Sequence, residues 1–384
     1  MAGPRTIRIT TPRAEHVGGA HRVSADVDGV TVWLESPDAP LDPAPEAFAS
    51  AFLLPALTAR ARLVSDQPLD PVWLDGSRRL ATIFRSWWRT PRIVPAAPSP
   101  GDTAEDASIA QGPPSPPAQG LFFSGGVDSF HGLLCCDRRF ECLVFVTGFD
   151  VPLGDHTRLS AALASVREVA AAAGSRLVTV RTNLRDHPLV QAAAWERANG
   201  GALAAVAHVL AGVVGGMAIG SSVAVGWKGG WGSHWETDPL YGSRRVRIGQ
   251  LGTDLHRLDK VRRIAALELP RRHLRVCWEN RTPTGNCSRC GKCVVTRLML
   301  AESGVLDQYP VFEGTATLAA ATDALVSDTH RESLTDIVRT GRLPPELERA
   351  ATALLARVRH DQSWPVRTRR ALLRRLVGPS RARG

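Results

Sequence analysis

No apolar run in this 384-residue sequence reaches the roughly 20 residues that a bilayer-spanning helix needs, which excludes a helical membrane protein. Met1–Arg13 lacks the apolar stretch of a secretory signal, so a cytoplasmic location with no membrane partner is expected. Acidic residues are in deficit: 37 Asp and Glu face 47 Lys and Arg, a formal charge of +10. An arginine surplus spread over a solvated surface accounts for this charge, and a nucleic-acid partner is the less favoured reading. Cysteines number seven, an odd count that argues against a disulfide framework. What is present is 44% hydrophobic residues and enough length for two or three domains with a sizeable core.

Composition divides the chain into four stretches. Residues 1–93 read as an α+β domain. Thr6–Thr10 and Arg22–Leu34 alternate like strands, with Asp28-Gly29 as a hairpin turn. Glu46–Leu57 reads as a helix interrupted by Pro55, and Ser77 as the cap of a helix through Leu80, Ile83 and Trp87. Residues 94–120 read as a linker, since Pro95–Gly120 holds seven prolines and almost nothing to bury. Residues 121–300 alternate strand and helix. Leu121–Phe123, Cys142–Thr147, Leu177–Val180 and Ser222–Val225 are the strands; Phe130–Cys136, Arg158–Ala173 and Leu203–Val214 are the helices, with Gly174 as a C-cap. This alternation predicts an α/β fold with a parallel, doubly wound sheet and ligands at the carboxyl ends of its strands. Residues 301–384 read as helices, ending in Arg367–Arg383, where seven arginines surround Leu372, Leu373 and Leu376.

Ser124-Gly125-Gly126-Val127-Asp128-Ser129 lies between an expected strand and an expected helix. Two glycines permit a tight turn that turns backbone N–H groups toward an anion, and the helix start adds its positive end. Ser124 and Ser129 offer hydroxyls, and Asp128 suits Mg²⁺ or backbone orientation better than direct phosphate contact. The loop lacks the Gly-Lys-Ser/Thr ending of a Walker A motif. It matches the S-G-G-x-D-S signature and so resembles PP-loop ATP pyrophosphatases. That resemblance implies a nucleotide hydrolase fold of the HUP type, Mg²⁺-assisted cleavage of ATP between its α and β phosphates, and adenylation of a substrate oxygen.

Cys277 is followed, after nine residues, by Cys287-Ser288-Arg289-Cys290-Gly291-Lys292-Cys293. Two interlocked C-x-x-C units plus a fourth thiolate suit tetrahedral Zn²⁺, with Arg289 and Lys292 offsetting its charge; an iron–sulfur cluster is the competing occupant. Loop and cluster together resemble the 7-cyano-7-deazaguanine synthase family over about Leu121–Leu300. The resemblance implies an ATP-dependent ligase that activates a carboxylate for attack by a nitrogen nucleophile. It also implies a small carboxylate or deazapurine-like substrate, with room for a protein acceptor and a homodimer. About 120 residues precede the loop here, and Trp235–Tyr241 stands where that family has Tyr-Pro-Asp-Cys. These departures point to a divergent relative, of the kind found in antiphage systems and natural-product pathways.

Other residues complete the expected site. Arg181, at a strand end, reads as a phosphate ligand or half of a surface ion pair. Lys228 reads as a catalytic cation, with His234, Glu236 and Asp238 as further candidates. Trp227, Trp231 and Trp235 form a flat-ring wall or pack on a neighbouring domain. Cys135 and Cys136 would carry sulfur if the enzyme were a sulfurtransferase, but read as buried helix residues.

Overall fold

The computed structural model describes residues 5–91, 97–98, 118–227, 229–324 and 330–361. Lys228, most of the proline-rich stretch and the arginine-rich end lie outside the described residues. The chain divides into two units, Met1–His256 and Arg257–Gly384.

The first unit is built on one eleven-stranded sheet. Its amino-terminal strands are β1 (Thr6–Ile9), β2 (Arg13–Val17), β3 (Ala20–Val27), β4 (Val30–Ser36), β5 (Arg62–Ser65) and β6 (Ala97–Pro98). Asp28 and Gly29, both at positive φ, make the β3–β4 turn, as their sequence predicts. The later strands are β7 (Gln119–Phe122), β8 (Cys142–Thr147), β9 (Arg176–Thr182), β10 (Gly216–Gly220) and β11 (Arg247–Leu251). These five pair in parallel in the order β11-β10-β7-β8-β9. β8 is buried almost throughout, as a strand covered on both faces must be. The strand order reverses beside β7, which places the topological switch point between β7 and β10.

The helices of this unit are α1 (Pro45–Thr58), α2 (Pro71–Trp88), α3 (Val127–Cys135), α4 (His156–Ala172), α5 (Pro188–Ala192) and α6 (Trp195–Val209). Right-handed crossovers put α3 and α4 on one face of the parallel strands and α6 on the other. α1 runs through Pro55 and is buried nearly all round, so it has no single apolar face. It packs on α6 so closely that a Cβ on Gly201 would lie 2.3 Å from Ser50 O. Ser77 does not cap α2: Asp70 accepts from Val72 and Trp73 N–H, and Ser77 sits buried in the helix, donating to Leu74 O. Gly174, at φ +64, follows α4 as expected.

Several expectations about organisation are corrected. Residues 1–93 are not a separate body: β4 pairs antiparallel with β9, Leu34 opposite Thr182 and Glu35 opposite Arg181, so the sheet is continuous. The expected boundary near residue 300 falls instead at His256 and Arg257. The strand expected at Ser222–Val225 is β10, Gly216–Gly220; Val225 is exposed on the loop that follows.

The second unit is helical: α7 (Arg257–Ile264), α8 (Glu268–His273), α9 (Gly291–Glu302), α10 (Leu318–Ala324), α11 (Arg331–Thr340) and α12 (Pro345–Asp361). α9 is its core, buried along almost its whole length and packed on α7, α10 and α11. Its last residue, Glu302, has a fully buried carboxylate that Arg262 of α7 meets with Nη2 at 2.5 Å and Nε at 3.2 Å. Among the described residues, no helix is long and apolar enough to cross a membrane.

Candidate functional site

The Ser124–Ser129 loop leaves the carboxyl end of β7 and enters α3, directly at the switch point. Phe123 and Phe130 pack edge to face at 5.0 Å beneath it and, with Val127, anchor both ends in the core. Gly125 turns at φ +77, which a side chain rarely adopts, and Gly126 is the N-cap residue of α3. The first-turn N–H groups of α3 have no intrahelical acceptor and point out of the carboxyl edge. Ser129 departs from expectation, because its hydroxyl donates to Gly126 O at 3.0 Å and shapes the loop itself.

Three residues that the sequence reading missed complete this edge. Gly220 ends β10 against α3: a Cβ there would lie 2.3 Å from Asp128 O and 2.9 Å from Ser129 N. Ser222 donates to Asp128 Oδ2 at 3.3 Å, tying the β10 loop to the first turn of α3. Thr147 ends β8, three residues past Val144, which pairs with Phe122. Its hydroxyl is buried and, among the described residues, has no hydrogen-bond partner. A buried hydroxyl without a partner is rare enough to call for an explanation.

Arg181 lies on β9, two strands from β7 and so roughly 10 Å away. Its Nη1 pairs with Glu35 Oε1 at 2.9 Å, and Arg22 takes Glu35 Oε2 at 2.6 Å. The guanidinium serves the β4–β9 junction, so the phosphate-ligand reading gives way to the ion-pair reading. The tryptophan-rich loop after β10 packs on α2: Trp87 meets His234 edge to face at 4.9 Å, and Gly230 abuts Trp87 and Trp88. Asp238 is buried and accepts from Ser233 Oγ (2.6 Å), Gln250 Nε2 (2.6 Å) and His234 N (3.1 Å). Burial pushes its carboxyl up to about 6 and the His234 imidazole down to about 4, so that His234 is neutral near pH 7. Glu236 is exposed.

In the second unit the structure brings all four late cysteines together. Their sulfurs lie within 4.8 Å of one another, with Cys287–Cys293 and Cys277–Cys290 both at 3.9 Å. Four sulfurs at 2.3 Å from a tetrahedral zinc are about 3.8 Å apart, so the cage already has the right size for a metal such as zinc. The separations are far beyond a disulfide, and no disulfide joins any of the seven cysteines, all of which are described. Asn286 fixes the cage, accepting from Val276 and Cys277 N–H and donating to Leu274 O and Val311 O. Cys290 N–H donates to Cys287 Sγ at 3.2 Å, and Cys290 and Cys293 sit at the start of α9, whose positive end favours thiolates. Hydrogen bonds from Cys290 and Cys293 push the Cys277 thiol well down, while the contact with Cys277 pushes Cys290 up to about 12.

A buried cation stands one turn from the cage at a residue the sequence reading did not name. Arg297 is fully buried one turn beyond Cys293, with Nη1 on Ser288 O (2.8 Å) and Nη2 on Gly314 O and Thr317 Oγ1 (both 2.7 Å). Arg289, expected to face the metal, is exposed and meets Glu313 at 3.4 Å. The helical spacing from Cys293 to Arg297 was the available sequence signal. Comparison with protein-family profiles, curated proteins and solved structures finds no match for this chain.

Proposed function

We propose that the chain is an ATP-dependent ligase of the PP-loop class, with a HUP-type nucleotide core in its first unit and a structural zinc centre in its second. The observation that carries this reading is the position of the Ser124–Ser129 loop. A glycine-bent turn opens a helix at the switch point of a parallel sheet, where doubly wound folds bind nucleotides. The loop's sequence resembles the pyrophosphatase signature, and Thr147, at the end of the neighbouring strand β8, carries a buried hydroxyl without a partner among the described residues.

In this reading the backbone N–H groups of residues 125–129 hold the β and γ phosphates and take up the charge that develops on departing pyrophosphate. Asp128, steadied by Ser222, would hold Mg²⁺, which supplies charge neutralisation at the phosphate oxygens. A carboxylate or carbonyl oxygen, in line with the α phosphate, becomes the adenylate, and a nitrogen nucleophile then displaces AMP. The Cys277, Cys287, Cys290 and Cys293 thiolates would hold zinc as a closed structural site with no open position for chemistry.

The sulfurtransferase alternative fits less well. α3 carries Cys135 at its far end, nine residues past the N-cap Gly126 and so about 13 Å along the helix from its start. Cys136 follows it, and Cys142 begins β8 at the amino edge of the sheet. A persulfide carrier belongs at the carboxyl edge.

Product identity is the test. With an acceptor carboxylate and a nitrogen donor, the chain releases AMP and pyrophosphate, and Asp128→Ala lowers the rate by about 100-fold or more. Release of ADP and phosphate alone contradicts the reading.

A further inference from the structure

The formal charge of +10 is not spread evenly over the chain. Residues 257–384 hold 24 Lys and Arg against 13 Asp and Glu, a charge of +11, whereas residues 1–256 hold 23 against 24. The whole surplus therefore belongs to the second unit, and the expectation of an evenly solvated arginine surface gives way. Such asymmetry between two units is the electrostatic footprint of a polyanionic partner. Arg367–Arg383 carries seven of these cations outside the described residues. Within the described residues the surplus gathers at the cysteine cage: residues 271–292 hold six Lys and Arg and one acidic residue, Glu279.

The cage also presents a ring. Trp278, bonded to Cys277, is 54% exposed and is the one exposed aromatic side chain among the described residues. It opens a nine-residue loop, 278–286, whose two ends are both pinned. Cys277 and Cys287 belong to the same sulfur cluster, and Asn286 Oδ1 accepts from Cys277 N–H at 3.1 Å. Covalent reach then fixes what lies near Trp278. Arg289 is bonded to Cys290, whose sulfur is 3.9 Å from that of Cys277, so the Cα atoms of Trp278 and Arg289 are within about 17 Å of each other. Arg281, three residues past Trp278 on the same loop, has its Cα within about 11 Å of it. Arg281 is 59% and Arg289 69% exposed, and their partners Glu279 and Glu313 form surface ion pairs that yield readily to a phosphate.

We propose that this rim of the cage binds single-stranded nucleic acid, with Trp278 stacked on a base and Arg281 and Arg289 on the phosphates that flank it. A ring among guanidiniums is the combination that tracks a single strand: bases offer a π-face to stack on, and phosphates offer paired oxygens to the guanidinium fork. A duplex keeps its bases stacked on one another, which leaves Trp278 without a base to meet. A membrane surface calls for an apolar cluster, and no second exposed aromatic accompanies Trp278 among the described residues. The cage supplies the fixed base that an exposed loop needs to present ring and charge together. The inference rests on the fold of the second unit and is independent of the ATP reading.

Fluorescence anisotropy of labelled oligo(dT) and oligo(U), each about 12 nucleotides long, tests this on the full chain without ATP. Saturable binding of at least one strand is expected, and the DNA and RNA arms show which sugar the surface prefers. Trp278→Ala weakens binding about tenfold and Trp278→Phe restores most of the loss, a pattern that charge alone does not give. Arg289→Gln lowers the slope of log affinity against log salt by about 0.7, and Arg281→Gln does the same. Absence of binding to both strands overturns the proposal. So does binding that Trp278→Ala leaves unchanged, which would place the strand on the arginine-rich end. Equal affinity for a duplex of the same length, or tighter binding to phosphatidylserine vesicles than to either strand, overturns it too.

Discussion

Gly220 shows how much one missing methyl group decides. Its Cα faces the first turn of α3 so closely that Ala cannot be accommodated without moving backbone, since the obstacle is Asp128 O rather than a flexible side chain. Gly220→Ala is expected to cost about 1–3 kcal/mol of stability and to tilt the helix start away from β10. Thermal unfolding and ATP affinity measured on the same sample check this: affinity falls more steeply than stability predicts. His208 makes a second case. It is buried on α6, donates Nε2–H to Tyr241 O at 2.9 Å, and is pushed down to about 4 by burial. His234 sits at about 4 for the same reason, and His187 is lowered too. Between about pH 6.5 and 4 the unfolded chain therefore binds more protons at these histidines, and stability falls with acid across that window. Asp238, raised to about 6, works the other way, because its folded form is favoured once protonated. The histidines outweigh it. His208→Gln, which keeps a donor toward Tyr241, is expected to remove about 2 kcal/mol of this acid dependence, read from denaturant unfolding at pH 7 and pH 4.5.

At the scale of elements, the four-cysteine cage is the clearest case of structure legible in sequence. The C-x-x-C-x-x-C spacing fixes a knuckle leading into a helix start, and Cys277 joins it through Asn286. If the cage holds structural zinc as proposed, Cys290→Ser lowers bound metal from near one per chain to a small fraction and loosens the 257–361 unit, because structural zinc contributes folding free energy directly. Elemental analysis and proteolysis rates check it; Cys135→Ser, away from the cage, leaves both unchanged. The place of the Ser124–Ser129 loop between a strand and a helix was equally legible, since glycines and a strand–helix boundary leave few alternatives. Other features were hidden for physical reasons. Ser77 carries a capping residue type, yet Asp70 with Pro71 after it makes a stronger start, so the helix begins earlier. β10 ends before Val223–Val225 because its pairing register with β7 aligns Gly220 with α3, a constraint that lies in another segment of the chain. Arg181 looked like a phosphate ligand because the residue that claims it, Glu35, belongs to a strand far away in sequence.

For the whole molecule, the continuous sheet changes what the amino-terminal segment is. Composition suggested an independent domain, because a proline-rich stretch separates it from the rest. The β4–β9 pairing and the α1–α6 packing instead make it half of one core. A chain lacking residues 1–91 would expose the edge of β9 and the face of α6 that α1 covers. Such a chain is expected to be aggregated or unfolded by size-exclusion chromatography and circular dichroism; a monomeric, fully folded product would restore the two-domain reading. The proposed chemistry concentrates at the carboxyl edge of the sheet, with the phosphate loop at β7, Thr147 at β8 and the tryptophan loop after β10. The measurement that tests this most directly is amide NMR of the full chain titrated with Mg²⁺ and an ATP analogue that resists cleavage between the α and β phosphates. The Gly125, Gly126 and Val127 amides are expected to move most, and Asp128→Ala to abolish the effect. Saturable nucleotide binding that leaves those three amides unmoved would contradict a phosphate site at this loop.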